Sequence, residues 1–251
     1  MSKANGQPLR QALVATLFVI LAGCAGSGGE RAASDPWEPV NRPIHAVNDA
    51  VDRAVLKPVA KGYEWVFPAF VRQGVTNFFA NLGTPLTGIN NLLQGKGGDA
   101  ANDLGRFLLN SSFGVAGIFD LATPAGFDQN NEDFGQTLAV WGVPSGPYVV
   151  FPFRGPSTLR DALMTPLNAA ADPTFYIDER SIRDKLLVLQ IVNARQRLFA
   201  AEALIQDSPD LYVTLRESYL QNREYQIYDG NPPIDDDFYD DLEDFDDEPN
   251  D

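Results

Sequence analysis

Cysteine occurs once in 251 residues, at Cys24, and histidine once, at His45. A lone cysteine has no disulfide partner, and one histidine without a second His or another Cys excludes the usual zinc sites. A Gly-x-Ser-x-Gly elbow is absent, and a single imidazole argues against a triad hydrolase. No glycine-rich lysine loop is present to cradle phosphates, so the chain is not expected to hydrolyse ATP. Asp128-Gln129-Asn130-Asn131-Glu132-Asp133 lacks the Asp-x-Asp-x-Asp-Gly order and distant Glu of a calcium loop, and reads as a solvated loop. No basic block offers a footprint for nucleic acid. After the first segment no run of eighteen apolar residues exists, so no helix is expected to span a bilayer alone. His45, among Ile44, Ala46 and Val47, reads as a structural side chain on an amphipathic helix. The expectation is a protein that is not an enzyme and carries neither metal nor cofactor.

Charge is unevenly placed. The net charge is −15, but residues 229–251 hold twelve Asp and Glu and no Lys or Arg, which leaves −3 for residues 1–228. The folded part is close to balanced, and residues 229–251 read as a disordered acidic tail. At the other end, Lys3 and Arg10 precede an apolar run from Ala12 to Ala22 that closes in Leu21-Ala22-Gly23-Cys24. A basic start, a short apolar run and small residues describe a secretory signal over residues 1–23. The Leu-Ala-Gly-Cys ending resembles the bacterial lipobox, which implies acylation of Cys24. Two or three acyl chains, at about 0.8 kcal/mol per buried CH2, hold a protein on a membrane effectively permanently. Ala25, where an Asp favours the inner membrane, points to the outer one. Residues 24–33 read as a flexible tether, leaving 34–228 as one domain.

That domain reads as mainly α. Asn41 can cap a helix through Ile44, Val47, Val51 and Val55 that Lys57-Pro58 stops. Val71, Val75, Phe78, Phe79 and Leu82 share a face up to Gly83, and Thr84-Pro85 opens a further helix with Leu86, Ile89, Leu92 and Leu93 inward. Asp99 can cap a helix with Leu104, Phe107 and Leu108 inward. The apolar stretch 113–127 is too broken by glycine for one helix. Ser157 can cap a helix that Pro166 kinks, the longest helix is expected over about 181–205, and Ser208-Pro209 starts the last. Two readings of the wide Phe-rich faces stay open: the core of a soluble helical domain, or the outer faces of a protein resting in lipid with a partly polar interior. Asn77, Asn81, Asn90, Asn91, Asn102 and Asn110 lie within or beside those faces; dry burial of amides is costly, so they are candidates to line something wet.

The segment 134–161 is organised differently. Apolar runs Thr137–Trp141 and Tyr148–Phe153 flank Gly142-Val143-Pro144-Ser145-Gly146-Pro147, which reads as a hairpin-like excursion with a wide loop. Pro144, Pro147 and Pro152 lack amide protons, so no substantial β-sheet is expected there. Gly142 and Gly146 are the expected hinges of a flap whose Trp141, Val143, Pro144, Tyr148, Phe151 and Phe153 contact something greasy, unless these aromatics pack into the protein's own core.

Several motifs occur together: the lipobox, Ser34-Asp35-Pro36-Trp37-Glu38-Pro39-Val40-Asn41-Arg42, Thr76-Asn77-Phe78-Phe79-Ala80-Asn81-Leu82, Arg106-Phe107-Leu108-Leu109-Asn110-Ser111, Phe134-Gly135-Gln136-Thr137-Leu138, Gly146-Pro147-Tyr148 and 152–161 with its Arg154-Gly155-Pro156-Ser157-Thr158-Leu159-Arg160-Asp161. Their joint order resembles the MlaA (VacJ) lipoproteins over roughly residues 34–225. The resemblance implies a ring of amphipathic helices lying in the inner leaflet of the Gram-negative outer membrane, pierced by an amphipathic pore for which Asn77, Asn81, Asn90 and Asn110 are lining candidates. It further implies removal of mislocalised phospholipid from the outer leaflet, hand-over to a periplasmic lipid-carrier protein coupled to an inner-membrane ABC transporter, and association with a trimeric porin. Two other classes stay open: a lipid-anchored scaffold that binds porins or cell envelope and moves no lipid, and a membrane-bound hydrolase using Asp and Ser.

Overall fold

The computed structural model describes residues 35–233; the signal segment, Cys24, the tether and residues 234–251 of the acidic tail lie outside the described residues. The chain is mainly helical, with one two-stranded sheet. Helix α1 (Glu38–Val51) passes through a π-helical turn (Asp52–Leu56) into α2 (Lys57–Val66). Lys57-Pro58 therefore does not stop the helix: the wider π turn makes room for the proline ring, which sits at the start of α2 where its missing N–H costs least. Asn41, expected as the N-cap, lies one turn inside α1. Trp37 occupies the cap position, its carbonyl accepting from the amides of Val40 (2.9 Å) and Asn41 (2.8 Å).

Helix α3 (Ala69–Leu93) is the longest and runs unbroken through Gly83 and Pro85, where the sequence suggests two helices. A mid-helix proline costs about 3 kcal/mol. Packing along α4 (Gly97–Ser112) outweighs it, with Asn91 Nδ2 donating to Asp103 Oδ2 (2.7 Å) and Asn81 Nδ2 to Ser111 Oγ (2.8 Å), one bond on each side of the proline. The stretch 113–127 is irregular, as expected. Then follow α5 (Phe134–Val140), strands β1 (Tyr148–Phe151) and β2 (Gly155–Thr158), and α6 (Leu159–Ala171), whose cap is Thr158 rather than Ser157. A 3-10 turn (Pro173–Tyr176) leads to α7 (Arg180–Arg197), which breaks at Leu198 before α8 (Phe199–Ile205); α9 (Leu211–Ile227) ends the fold.

Contacts between these elements form a closed circuit. From α1 it runs to β1, β2, α6, α5, α3, α7 and α2, and returns through the π turn to α1. Ion pairs fasten several joints. Arg195 of α7 grips Asp52 of the π turn bidentately (2.7 and 2.8 Å), and Arg223 of α9 grips Asp133 (2.8 and 2.9 Å) and Asp161 (2.9 Å).

The distribution of polarity is inverted. Among the described residues eight hydrophobic side chains are buried, against eighteen polar or charged ones, while the exposed set includes Trp65 (88 % exposed), Phe70, Leu92, Leu108, Leu163 and Leu204. Of the apolar residues of α3 and α4 expected inward, Ile89, Leu92, Leu93, Leu104 and Leu108 are exposed and Leu86 and Phe107 half-buried, whereas Asn81, Thr87, Asn90, Asn91, Asp103, Arg106 and Asn110 are buried. Among the described residues, buried apolar side chains cluster in two small groups, Ala60–Tyr63–Val192 between α2 and α7, and Tyr148–Val150–Tyr212 between β1 and α9. Burial of apolar surface, at about 25 cal/mol per Å2, is the usual driving force of folding, and the described residues make little use of it. No helix among the described residues is long and apolar enough to cross a membrane.

The buried charges set an acid dependence. Burial pushes the Asp120 carboxyl up, but hydrogen bonds from Thr123 and Asn110 and the charge of Arg106 more than offset this and bring its pKa down to about 2. Its folded value lies below the unfolded one of about 3.9, so its stabilising contribution is present above that value and vanishes as pH falls towards 2. Asp120→Asn is accordingly expected to lower the thermal midpoint by a constant amount above about pH 5, with the gap from wild type closing as the pH drops towards 2; calorimetry across that range checks it.

Candidate functional site

Asp133 caps α5 by accepting from the amide of Gln136 (2.9 Å), which commits Thr137–Val140 to helix. The first run of the expected hairpin is thus helical, and the strand partner of Tyr148–Phe151 is Gly155–Thr158, in the register Tyr148↔Thr158 to Phe151↔Gly155. What remains of the flap is the loop 141–147, bent at Gly142 (φ +87°) and Gly146 (φ +67°), both in the region that favours glycine. Tyr148 is buried against Tyr212 and Tyr219, so it belongs to the core rather than to a lipid-facing surface. Phe151 is partly covered, whereas Trp141, Gly142, Val143, Pro144 and Gly146 are exposed and Phe153 is 78 % exposed. Phe153 sits at φ +63°, a costly conformation for an aromatic residue, at the tip of the β1–β2 turn.

Two asparagines of α1 hold this sheet in place of a third strand. Asn41 Nδ2 donates to Tyr148 O (3.0 Å) and Asn41 Oδ1 accepts from Val150 N (2.9 Å). Seven residues on, Asn48 Nδ2 donates to Phe151 O (2.8 Å) and its Oδ1 accepts from Phe153 N (2.8 Å). Seven residues of helix advance about 10.5 Å and three residues of strand about 10 Å, so the two amides meet two successive stations of the strand. Asn41 Nδ2 also reaches Asp35 Oδ1 (3.0 Å), and Asp35 accepts from the Tyr212 hydroxyl, which ties the start of the domain to the same joint.

Inside the circuit of elements lies a cavity of about 540 Å3. Along α3 its wall is Thr76, Phe79, Gly83, Leu86 and Thr87; along α7 it is Gln190, Asn193 and Arg197; Asn168 of α6 and the loop 129–133 complete it. Amide and hydroxyl groups therefore stand beside aromatic and aliphatic ones, within the size range of small-molecule sites. The loop 128–133 is solvated at Asp128, Gln129 and Asn131, as expected, but Glu132 is buried and accepts from Gln94 Nε2 (2.7 Å) and Lys96 Nζ (3.2 Å). A second, apolar groove of about 920 Å3 opens between α3 and the segment 113–127, walled by Phe70, Val71, Phe78, Ile118, Phe119 and Leu121.

The asparagines singled out in the sequence do not line the central cavity. Asn90 is wholly buried, its Oδ1 accepting from Thr137 Oγ1 (2.7 Å). Asn77, Asn81 and Asn110 surround a pocket of about 30 Å3, room for one water. Asn77 also edges the outer groove, and Asn110 Oδ1 accepts from the amides of Leu121 (2.8 Å) and Ala122 (3.0 Å). The cavity-lining polar groups were readable in principle from Gln190, Asn193 and Arg197, a stripe at helical spacing on α7. His45 packs edge-on to Tyr212 at 5.6 Å. No cluster of three or more potential metal ligands occurs among the described residues.

A sequence model of the MlaA lipoproteins matches residues 33–226, which take in both cavities, the flap and the α1 clamp. The chain belongs to the MlaA lipoprotein family. The Escherichia coli (strain K12) relative, an intermembrane phospholipid transport system lipoprotein MlaA, is 32% identical over 226 residues, covering 86% of this chain and 88% of that one. The Haemophilus influenzae protein of the same description is 31% identical over 220 residues, 84% and 88% of the two chains. A chain from work on the structural basis for maintenance of bacterial outer membrane lipid asymmetry matches with a TM-score of 0.66 and 30% identity, over 79% of this chain and all of that one. The MlaA resemblance and the mainly helical fold expected from the motifs therefore hold.

Asn48→Ala removes both side-chain bonds to the β1–β2 turn, leaving Phe153 N unpaired and Phe151 O with the 3.4 Å bond from the Arg154 amide. A loss of about 1–3 kcal/mol and faster amide exchange confined to residues 148–158 are expected in hydrogen-exchange mass spectrometry, with α3 and α4 protected as before.

Proposed function

We propose that this MlaA-family protein is a non-catalytic phospholipid conduit of the outer membrane. The observation that carries the reading is the inverted polarity: apolar side chains cover much of the outside, and the half-open cavity is walled by polar and apolar groups side by side. A phospholipid has the same two-sided chemistry, and a passage for it must wet the head and accommodate the tails. The outer apolar faces rest in the acyl region of one leaflet, assisted by the acylated Cys24, with no helix crossing the bilayer. Lipid from the outer leaflet enters, passes the central cavity and leaves to a periplasmic carrier, driven by an inner-membrane ABC transporter, since the protein has no nucleotide chemistry of its own. A trimeric porin, itself lipid-embedded, is the lateral partner. The exposed Phe153 and Trp141 stand where the flap meets the moving lipid. A scaffold that moves no lipid has no use for a two-sided cavity of this size.

Gly83 offers a clean test. It lies on the cavity wall, and a Cβ added there meets nothing within 4 Å. Replacing a mid-helix glycine also improves helix propensity by up to about 1 kcal/mol. Gly83→Phe is expected to fill the cavity while keeping or raising the thermal midpoint. Cells carrying only this variant should accumulate outer-leaflet phospholipid to the level of cells without the protein; wild-type surface phospholipid in such cells would exclude a route through the cavity.

A further inference from the structure

Under the flap lies a cavity of about 440 Å3, distinct from the central one, walled by Gly142–Ser145, Thr158, Arg160, Leu220 and Arg223. Arg160 is only 5 % exposed, and its Nη2 is buried without any hydrogen-bond partner. An unpaired guanidinium nitrogen in such a place is costly. Three neighbouring donors of the same site are taken by flap carbonyls. Arg160 Nη1 donates to Val143 O (3.2 Å), the Arg160 amide to Ser145 O (3.0 Å) and the Leu159 amide to Pro147 O (3.0 Å). Alternate residues of the flap thus present three carbonyl oxygens to the first turn of α6, the end of a helix that attracts negative charge.

The carboxylates nearby leave this positive group under-compensated. Asp161 touches Arg160 Nε at 3.3 Å, but its oxygens are held more closely by Arg223 (2.9 Å), and Tyr219 OH donates to it at 3.2 Å. Asp133 is committed to Arg223. Glu224, the one acid on the wall of this cavity, is exposed.

We propose that Arg160 and the first turn of α6 form a phosphate site that the flap carbonyls of Val143, Ser145 and Pro147 keep closed, so that an arriving phospholipid headgroup displaces them and frees the flap. The proposal rests on the conduit reading and names the group of the lipid that acts as its key. A phosphodiester supplies charged acceptors for Nη1, Nη2 and the two amides together; neutral carbonyls supply three acceptors and leave Nη2 empty. The two amide bonds become charge-assisted, which about doubles their strength, and the guanidinium gains an ionic acceptor for Nη2, so the exchange is favourable once the lipid head is in reach. Gly142 and Gly146 lie at the two ends of the displaced segment.

The test uses the full-length acylated protein in a phosphate-free detergent, with a nitroxide on Ser145→Cys reporting flap mobility. Titration with dihexanoylphosphatidylglycerol is expected to produce a mobile spectral component, and dihexanoylglycerol, which has no phosphate, is not. Inorganic phosphate giving the same response at the same concentration would support the site and assign it to free anion rather than to a headgroup. Arg160→Gln should show a mobile flap without ligand and, read by phosphorus NMR line broadening, a half-saturation concentration raised about tenfold or more; Arg160→Lys, which keeps charge but not the fork, should fall between. Because Arg160→Gln can unfold, phosphorus NMR of dihexanoylphosphatidylglycerol with wild-type protein provides an independent reading through line broadening. Equal responses to the lipid with and without phosphate, or none to any phosphate, would overturn the proposal. Surface phospholipid accumulation in Gly83→Phe cells alongside such a result would retain the conduit and discard the latch.

Discussion

Side-chain amides on the inner faces of helices supply the hydrogen bonds that irregular backbone would otherwise lack, and the rest of the structure depends on this. Asn41 and Asn48 do so for β1 and its turn, Asn110 for Leu121 and Ala122, and Asn102 for Asp128, accepting from its amide (3.0 Å) and donating to its carbonyl (2.7 Å). A backbone group left unpaired away from water costs as much as a lost hydrogen bond, and in lipid there is no water to help. Placing asparagines inside therefore lets non-helical segments exist in a protein whose outside is apolar.

Much of the fold is legible in the sequence, and the departures arise from properties that local sequence does not carry. Helices were found from Ile44–Val47–Val51, Val71–Val75–Phe78 and Leu104–Phe107–Leu108 because the 3.6 period is independent of solvent. Which face is buried is not. Assigning the apolar face inward assumes water outside, and Leu92, Leu104 and Leu108 face outward here. The continuation of α3 through Pro85 and of α1 through Lys57-Pro58 is equally tertiary, since local rules place a boundary at both.

The candidate site was legible in part. The segment 134–161 was marked by its Gly, Pro and aromatic content, and its positive-φ glycines sit where hinges are needed. Its pairing was not readable, because Gly155-Pro156-Ser157-Thr158 has little strand propensity and is held as a strand by Tyr148 and Val150 packing on α9. The same packing removes Tyr148 from the exposed flap. Asn41 and Asn48 carry a readable signal in hindsight, two amides seven residues apart on one helix face. Arg160 lies inside a recognised motif, but its burial beneath the flap depends on the return of α9, far along the chain.

The central claim is that lipid, not water, solvates the outer surface. Trp65 tests it most directly, being almost fully exposed at the end of α2. With Trp37 and Trp141 replaced by Phe, the acylated protein would be placed in bilayers of lipids brominated along the acyl chain and its fluorescence compared with that in unbrominated bilayers. Strong quenching by bromine together with protection from aqueous acrylamide is the predicted result. Full acrylamide quenching with no effect of bromine would put Trp65 in water and contradict the account.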